Sequence, residues 1–154
     1  MARRVNLPPE KSLAFQIRRA HLAFARLLAL RLNRHGVKVG FWHYLRALWI
    51  EEGVTQKQLS DITNVTQTTT VALLNDMAKH RLIERDRDTE DRRKVFVRLT
   101  DKGRSLQSEM LPYALELNSI AVHGISKDEV SICLSVLTRM AANLENEFKS
   151  DRVA

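Results

Sequence analysis

The octet DRDTEDRR, Asp86–Arg93, restricts the fold of this chain more than any other segment. No hydrophobic core accepts an unbroken run of polar and mostly charged side chains, so the stretch must stand in water. Strand-forming runs flank it. Leu82–Arg85 precedes it, and Lys94–Leu99 follows with Val95, Val97 and Leu99 on one side. Two short strands closed by a charged loop make a hairpin that projects from the body of the fold.

The segments around the hairpin carry helical periodicity. From Lys11 to Arg34, Leu13, Ile17, Ala20, Phe24, Leu27 and Leu28 recur at three- and four-residue spacing, with Lys11, Arg18, Arg19 and Arg26 on the opposite side. Pro8 and Pro9 precede this helix and Gly36 marks its end. A second helix is expected from about Phe41 to Glu51, with Trp42, Leu45 and Trp49 on one face and Gly53 as its stop. Thr55 and Gln58 then form a capping box for a very short helix holding Leu59 and Ile62. After a turn at Thr63–Val65, Thr66 caps a fourth helix that should present Val71, Leu74 and Ala78 to the core. Two helices joined by so short a turn, followed at once by a charged hairpin, have the order of a winged helix-turn-helix. The fold class expected is mainly α with a small β-wing.

Beyond the hairpin, Thr100 opens a long helix towards Val122, with Pro112 expected to kink it. Ser126 and Glu129 give a second capping box for the last helix. There Val130, Leu134, Leu137, Ala141, Leu144 and Phe148 alternate by fours and threes, the spacing of a seam. A winged core of residues 37–100 is too small to cover three long terminal helices, so residues 1–36 and 101–154 are expected to form a helical dimerisation region. Cys133, beside that seam, is expected to be a small buried hydrophobe rather than a redox sensor.

The chain has 154 residues and a formal charge of +7, and the excess is concentrated at one end. Residues 1–50 hold ten Lys or Arg against the single acid Glu10, including Arg3 and Arg4, while the remainder is nearly balanced. That asymmetry favours a polyanionic partner such as nucleic acid or an anionic ligand. A single cysteine excludes an internal disulfide and a multi-cysteine zinc site. No apolar run reaches the length of about 18 residues of a membrane helix, and no hydrophobic signal core follows the N-terminus, so a cytoplasmic protein with no membrane partner is expected. The histidines His21, His35, His43, His80 and His123 are scattered, and no phosphate loop or nucleophile motif accompanies them. An enzyme is not expected, nor is a bound cofactor or metal.

The run from Val54 to Gly103 resembles the multiple-antibiotic-resistance regulator (MarR) family in its TQKQLSD entry, its LIER strand, its DRR-ending wing and its closing LTDKG. The resemblance implies an obligate homodimer with intertwined terminal helices and two winged domains facing one DNA duplex. It also implies release of DNA when a small, often aromatic, acid or thioester binds between the dimerisation and DNA-binding regions. Two departures stand out: Arg81 occupies the place of a usual glycine before the wing strand, and no Lys or Arg lies between Thr66 and Ala78.

On that frame the helix from Thr66 to Lys79 would enter the major groove. Gln67 suits adenine, and Thr68, Thr69 and Thr70 can reach bases or thymine methyls, while Asn75 and Lys79 could reach phosphates. In the wing, Arg87, Arg92 and Arg93 can approach the minor groove, with Asp91 orienting an arginine. For a ligand, Trp42, His43 and Trp49, with His21 and the cations Arg18, Arg19 and Arg26, would suit an aromatic group with an anionic tail, such as an aryl acid or its coenzyme A thioester. Plain core is the other reading of these aromatics. Two further readings stay open: a zinc-responsive regulator assembled from histidines, and a dimeric helical module without DNA binding.

Overall fold

The computed structural model describes residues 7–151, so Arg3 and Arg4 lie outside the described residues. The chain forms two compact units, Met1–Leu117 and Asn118–Ala154.

In the first unit, α1 (Leu13–Leu32) starts at Ser12, whose hydroxyl accepts the Phe15 N–H at 3.4 Å. Only its C-terminal half enters the core, through Leu28 and Leu32, whereas Leu13, Ile17 and Phe24 of the same stripe are exposed. A 3-10 turn and left-handed Gly36 end it. Phe41 and then α2 (Trp42–Ile50) follow, contributing Trp42, Tyr44, Leu45 and Leu48 to the core. Gly53 turns the chain at φ 75° into the two-residue strand β1 (Val54–Thr55). So short a strand has no period for a sequence to display.

The Thr55–Gln58 capping box forms: Thr55 Oγ1 accepts the Gln58 N–H at 3.2 Å and Gln58 Oε1 accepts the Thr55 N–H at 2.8 Å. It opens α3 (Gln56–Thr63), which closes on left-handed Asn64. Thr66 caps α4 (Gln67–Lys79). The buried residues of α4 are Thr70, Leu74 and Met77; of the expected Val71, Leu74 and Ala78, Leu74 is buried and Ala78 is half-buried against the core, and Val71 is exposed. Thr70 is wholly buried with its Oγ1 2.9 Å from the Tyr44 hydroxyl, and the same rotation, shared with Leu74 and Met77, leaves Val71 at 38% exposure.

Arg81 does adopt the left-handed conformation that usually calls for glycine (φ 56°). The Arg81 N–H bonds the Ala78 carbonyl and the Leu82 N–H bonds the Met77 carbonyl, the two bonds of a Schellman closure. Thr100 Oγ1 donates to the Arg81 carbonyl at 2.6 Å and Lys102 Nζ to the His80 carbonyl at 3.1 Å, so the strained turn is held from outside.

Strands β2 (Ile83–Arg87) and β3 (Val95–Leu99) pair antiparallel with Ile83 opposite Leu99 and Arg87 opposite Val95; β1 adds to the other edge of β3. Thr100 caps α5 (Asp101–Ala121) by accepting the Gly103 N–H, and the helix continues through Pro112. Gly103 lies against the Leu82 carbonyl, where no side chain fits. Glu52 binds Arg104 with both oxygens, at 2.8 and 2.9 Å, and accepts the Leu99 N–H, joining the end of α2 to β3 and α5.

In the second unit, α6 (Lys127–Asp151) is opened by the Ser126–Glu129 capping box. None of its residues is buried: Leu134 and Leu144 are 62% and 69% exposed, and Ile132 and Leu137 are exposed too. Cys133 is likewise exposed, contrary to expectation, on a helix with no buried residue.

Candidate nucleic-acid interface

The exposed side of α4 carries Thr68, Ala72, Asn75 and Lys79 in one stripe, flanked by Gln67 and Thr69 in the first turn and by Val71. Five of the six polar residues singled out on this helix therefore face outward. Thr70 does not; its hydroxyl is committed to Tyr44 and it cannot touch a base. Thr69 is held by the cap, accepting a bond from Thr66 Oγ1 at 3.0 Å. The acid of this helix, Asp76, receives Lys38 Nζ at 2.6 Å, and that bond keeps its carboxyl below the usual range. Asp76 is thus neutralised beside the reading stripe.

The wing sorts its charges in the same way. Asp88 folds back to accept the Glu90 and Asp91 N–H groups, both at 2.8 Å, and these bonds lower its pKa. Asp91 accepts from Arg93 Nε at 3.0 Å and from the Arg93 N–H at 3.1 Å, which lowers its pKa as well. Two of the octet's four acids, Asp88 and Asp91, are thus spent on its own turn, and Asp86 faces Arg98 of β3 at 3.7 Å. Arg87, Arg92 and Arg93 remain outward, Arg93 with its side chain 92% exposed and aimed by Asp91.

The residues expected to bind a ligand separate into two groups. Arg18, Arg19 and Arg26 line a shallow groove of about 190 Å³ with Phe15 and Leu22, and its lining includes neither tryptophan. Trp42 is buried in the core, with Trp49 edge-on at 5.9 Å and Arg46 over its ring at 5.6 Å. The Trp49 indole N–H donates to the Gly103 carbonyl at 2.9 Å. His43 lies at the surface; lost hydration, then the neighbouring charges of His21 and Arg46, push its pKa down. The structure therefore brings His21, His43 and Arg46 near one another, and the sequence pattern did not assign Arg46 to this group. Among the described residues no three His, Cys, Asp or Glu side chains gather to hold a metal, and no helix is long and apolar enough to cross a membrane.

Helix, turn, helix and wing, with polar α4 residues and arginines outward, define a winged helix-turn-helix DNA-binding protein. The family described as a winged helix DNA-binding domain matches residues 46–103. The chain is 30% identical over 137 residues to the HTH-type transcriptional regulator TtmR of Methylorubrum extorquens, covering 88% of this chain and 68% of that protein. It is 27% identical over 97 residues to the HTH-type transcriptional regulator YwaE of Bacillus subtilis, covering 63% of this chain and 57% of that protein. Among solved structures, a MarR transcriptional regulator from Methanosarcina mazei superposes with a TM-score of 0.78 at 24% identity, over 86% of this chain and 96% of its own. The MepR protein of S. aureus, in complex with DNA, superposes at 0.80 with 22% identity, over 86% and 98%. The chain belongs to the MarR family of winged helix-turn-helix transcriptional regulators, and it is a DNA-binding regulator rather than an enzyme.

Proposed function

We propose that the chain acts in the cytoplasm as a homodimeric repressor that binds a pseudo-palindromic operator and leaves it when a small anionic aromatic ligand binds. The observation that carries the dimer is α6, a 25-residue helix with a seam of exposed apolar side chains and no buried residue. In proteins most of a helix's stability comes from packing its apolar face, and α6 has such a face with no residue buried. A second copy supplies one, with residues 1–36 and 101–154 as the dimerisation region and 37–100 as the DNA-binding region.

Two-fold symmetry then sets α4 of each copy into successive major grooves, with half-sites about 10 bp apart. Gln67, Thr68 and Thr69 read bases, Asn75 and Lys79 reach bases or phosphates, and Arg93, steadied by Asp91, enters the minor groove with Arg87 and Arg92 alongside. Thr70 has no part in this contact.

The ligand reading rests on the cations Arg18, Arg19 and Arg26 along the groove they share with Phe15 and Leu22, with His21 and His43 as a second group and the Trp42–Trp49 pair apart from the groove. An aryl acid or its coenzyme A thioester complements them. Such a ligand acts by preferring a dimer whose two α4 helices are wrongly spaced, and it shifts the equilibrium by no more than that preference.

The test is a band shift with the duplex upstream of the protein's own gene, alongside sedimentation of the free protein. A dimer that retards this duplex over a scrambled one, and loses it on addition of benzoate or benzoyl-coenzyme A, is the expected result. A monomer in solution overturns the dimer, and a DNA complex indifferent to both compounds in calorimetry overturns the ligand.

A further inference from the structure

α4 exposes methyl groups where a reading helix commonly exposes cations. Thr68, Val71 and Ala72 are all exposed, and they adjoin one another on consecutive turns between Gln67 and Asn75. Val71 keeps 38% exposure after α3, β2 and the rest of the unit have packed, because α4 turns Thr70, Leu74 and Met77 inward, Thr70 with its hydroxyl on Tyr44. No Lys or Arg occurs before Lys79, so the first three turns hold no fork for the O6 and N7 of guanine. The amides Gln67 and Asn75 do fit the N6 and N7 of adenine. Adenine's partner presents its C5-methyl on the same major-groove edge, so amides and methyls on this helix are complementary to the two halves of one base pair.

We infer that α4 reads A·T pairs through thymine methyl groups, with Val71 as the specificity-determining residue and Thr68 and Ala72 beside it. This rests on the proposal above that α4 enters the major groove. Burying a thymine methyl against Val71 removes apolar surface from water on both partners and needs no hydrogen bond. A cytosine at that place lacks the methyl and turns the amine N–H not paired with guanine towards the same apolar wall, where it finds no acceptor, which makes the discrimination two-sided.

The experiment begins by letting the protein choose its own operator. Duplexes with about 24 randomised base pairs, enough for two half-sites one turn apart, are selected by the intact protein. In the winning duplex each thymine under α4 is then replaced by deoxyuridine, which deletes the methyl alone. Affinity is expected to fall about fourfold for each contacted methyl removed. Val71→Ser should bind the thymine duplex correspondingly more weakly and should no longer distinguish thymine from uracil at the position Val71 faces. Equal affinity of the unaltered protein for both duplexes refutes the inference, and so do selected half-sites with a fixed G·C pair beneath Val71. Either of those results, obtained with a sequence-selective complex, leaves the operator reading standing. Failure to select any sequence refutes that reading itself, and this inference with it.

Discussion

Replacing Gly103 by alanine tests the joint between the wing and α5. A Cβ built there lies 2.1 Å from the Leu82 carbonyl oxygen and 3.0 Å from Leu99 Cδ2. The first contact is about 1 Å too close for any carbon and oxygen pair. The obstacle is backbone, and the Thr100 N–H holds it in place at 3.1 Å. Either α5 retreats or β2 does. Overpacking of this kind costs about 1–3 kcal/mol. Retreat also stretches the bond from Trp49 Nε1 to the Gly103 carbonyl, worth about 1 kcal/mol. Alanine returns about 1 kcal/mol through its helix propensity. The net loss is about 1–3 kcal/mol, or a fall in Tm of roughly 3–10 °C for a chain of this size. Gly36→Ala is the matched control, since nothing lies within 4 Å and only the left-handed φ of +66° is strained, at about 1–2 kcal/mol. Thermal melts followed by circular dichroism, at one protein concentration, measure both. A Gly103→Ala protein as stable as the parent would refute the close approach. A loss equal to that of Gly36→Ala, with the Trp49 fluorescence unchanged, would refute the transmitted displacement.

Tyr44→Phe leaves the buried Thr70 hydroxyl without its partner and should cost about 1–2 kcal/mol in denaturant unfolding, while Tyr44→Phe with Thr70→Val should recover most of it. Glu52 is held below its usual pKa of 4.5, first by its bonds from Arg104 and then by the Leu99 N–H, against the opposing pull of burial. Its contribution is therefore complete above about pH 4.5 and is lost as pH falls through the depressed folded value, so Glu52→Gln should flatten the acid limb of a stability–pH curve; an unaltered limb counts against the bridge. Arg93→Ala should weaken binding to every duplex alike and lower the slope of log K against log[salt] by about 1, and an unchanged slope would remove Arg93 from the DNA contact. Leu134→Glu together with Leu144→Glu should shift sedimentation towards monomer, and an unchanged dimer would mean that α6 is not its seam.

Local signals were the readable ones. Both capping boxes and the exposed charged hairpin are set by residues within a few positions of one another, and each is found where the residues put it; the left-handed Arg81 was legible only through the family resemblance. What the sequence hid depends on contacts across the chain. β1 exists only because β3 offers an edge, and Trp49 is pinned by a carbonyl 54 positions away. The acids of the octet suggest a merely solvated loop, yet Asp88 and Asp91 are folded into its turn. The apolar stripes of α1 and α6 were legible as patterns, yet a single chain leaves much of both exposed, because a pattern states that a face needs cover without saying what covers it.

The consecutive residues Thr68, Thr69, Thr70 and Val71 show the limit most sharply. A threonine is small, branched and half polar, so its hydroxyl can cap a helix, meet a base or cross the core, and its composition favours none of these. Valine reads as core almost by default. In this helix the default is inverted: Thr70 is inside and Val71 outside. The deciding group is the hydroxyl of Tyr44, 26 positions earlier, which would be costly to bury unpaired and finds its partner only at Thr70. A buried polar pair thus joins Leu74 and Met77 in setting the rotation of α4, and with it which methyls and amides face outward. The composition of the outer face is written partly in a bond that lies in the core.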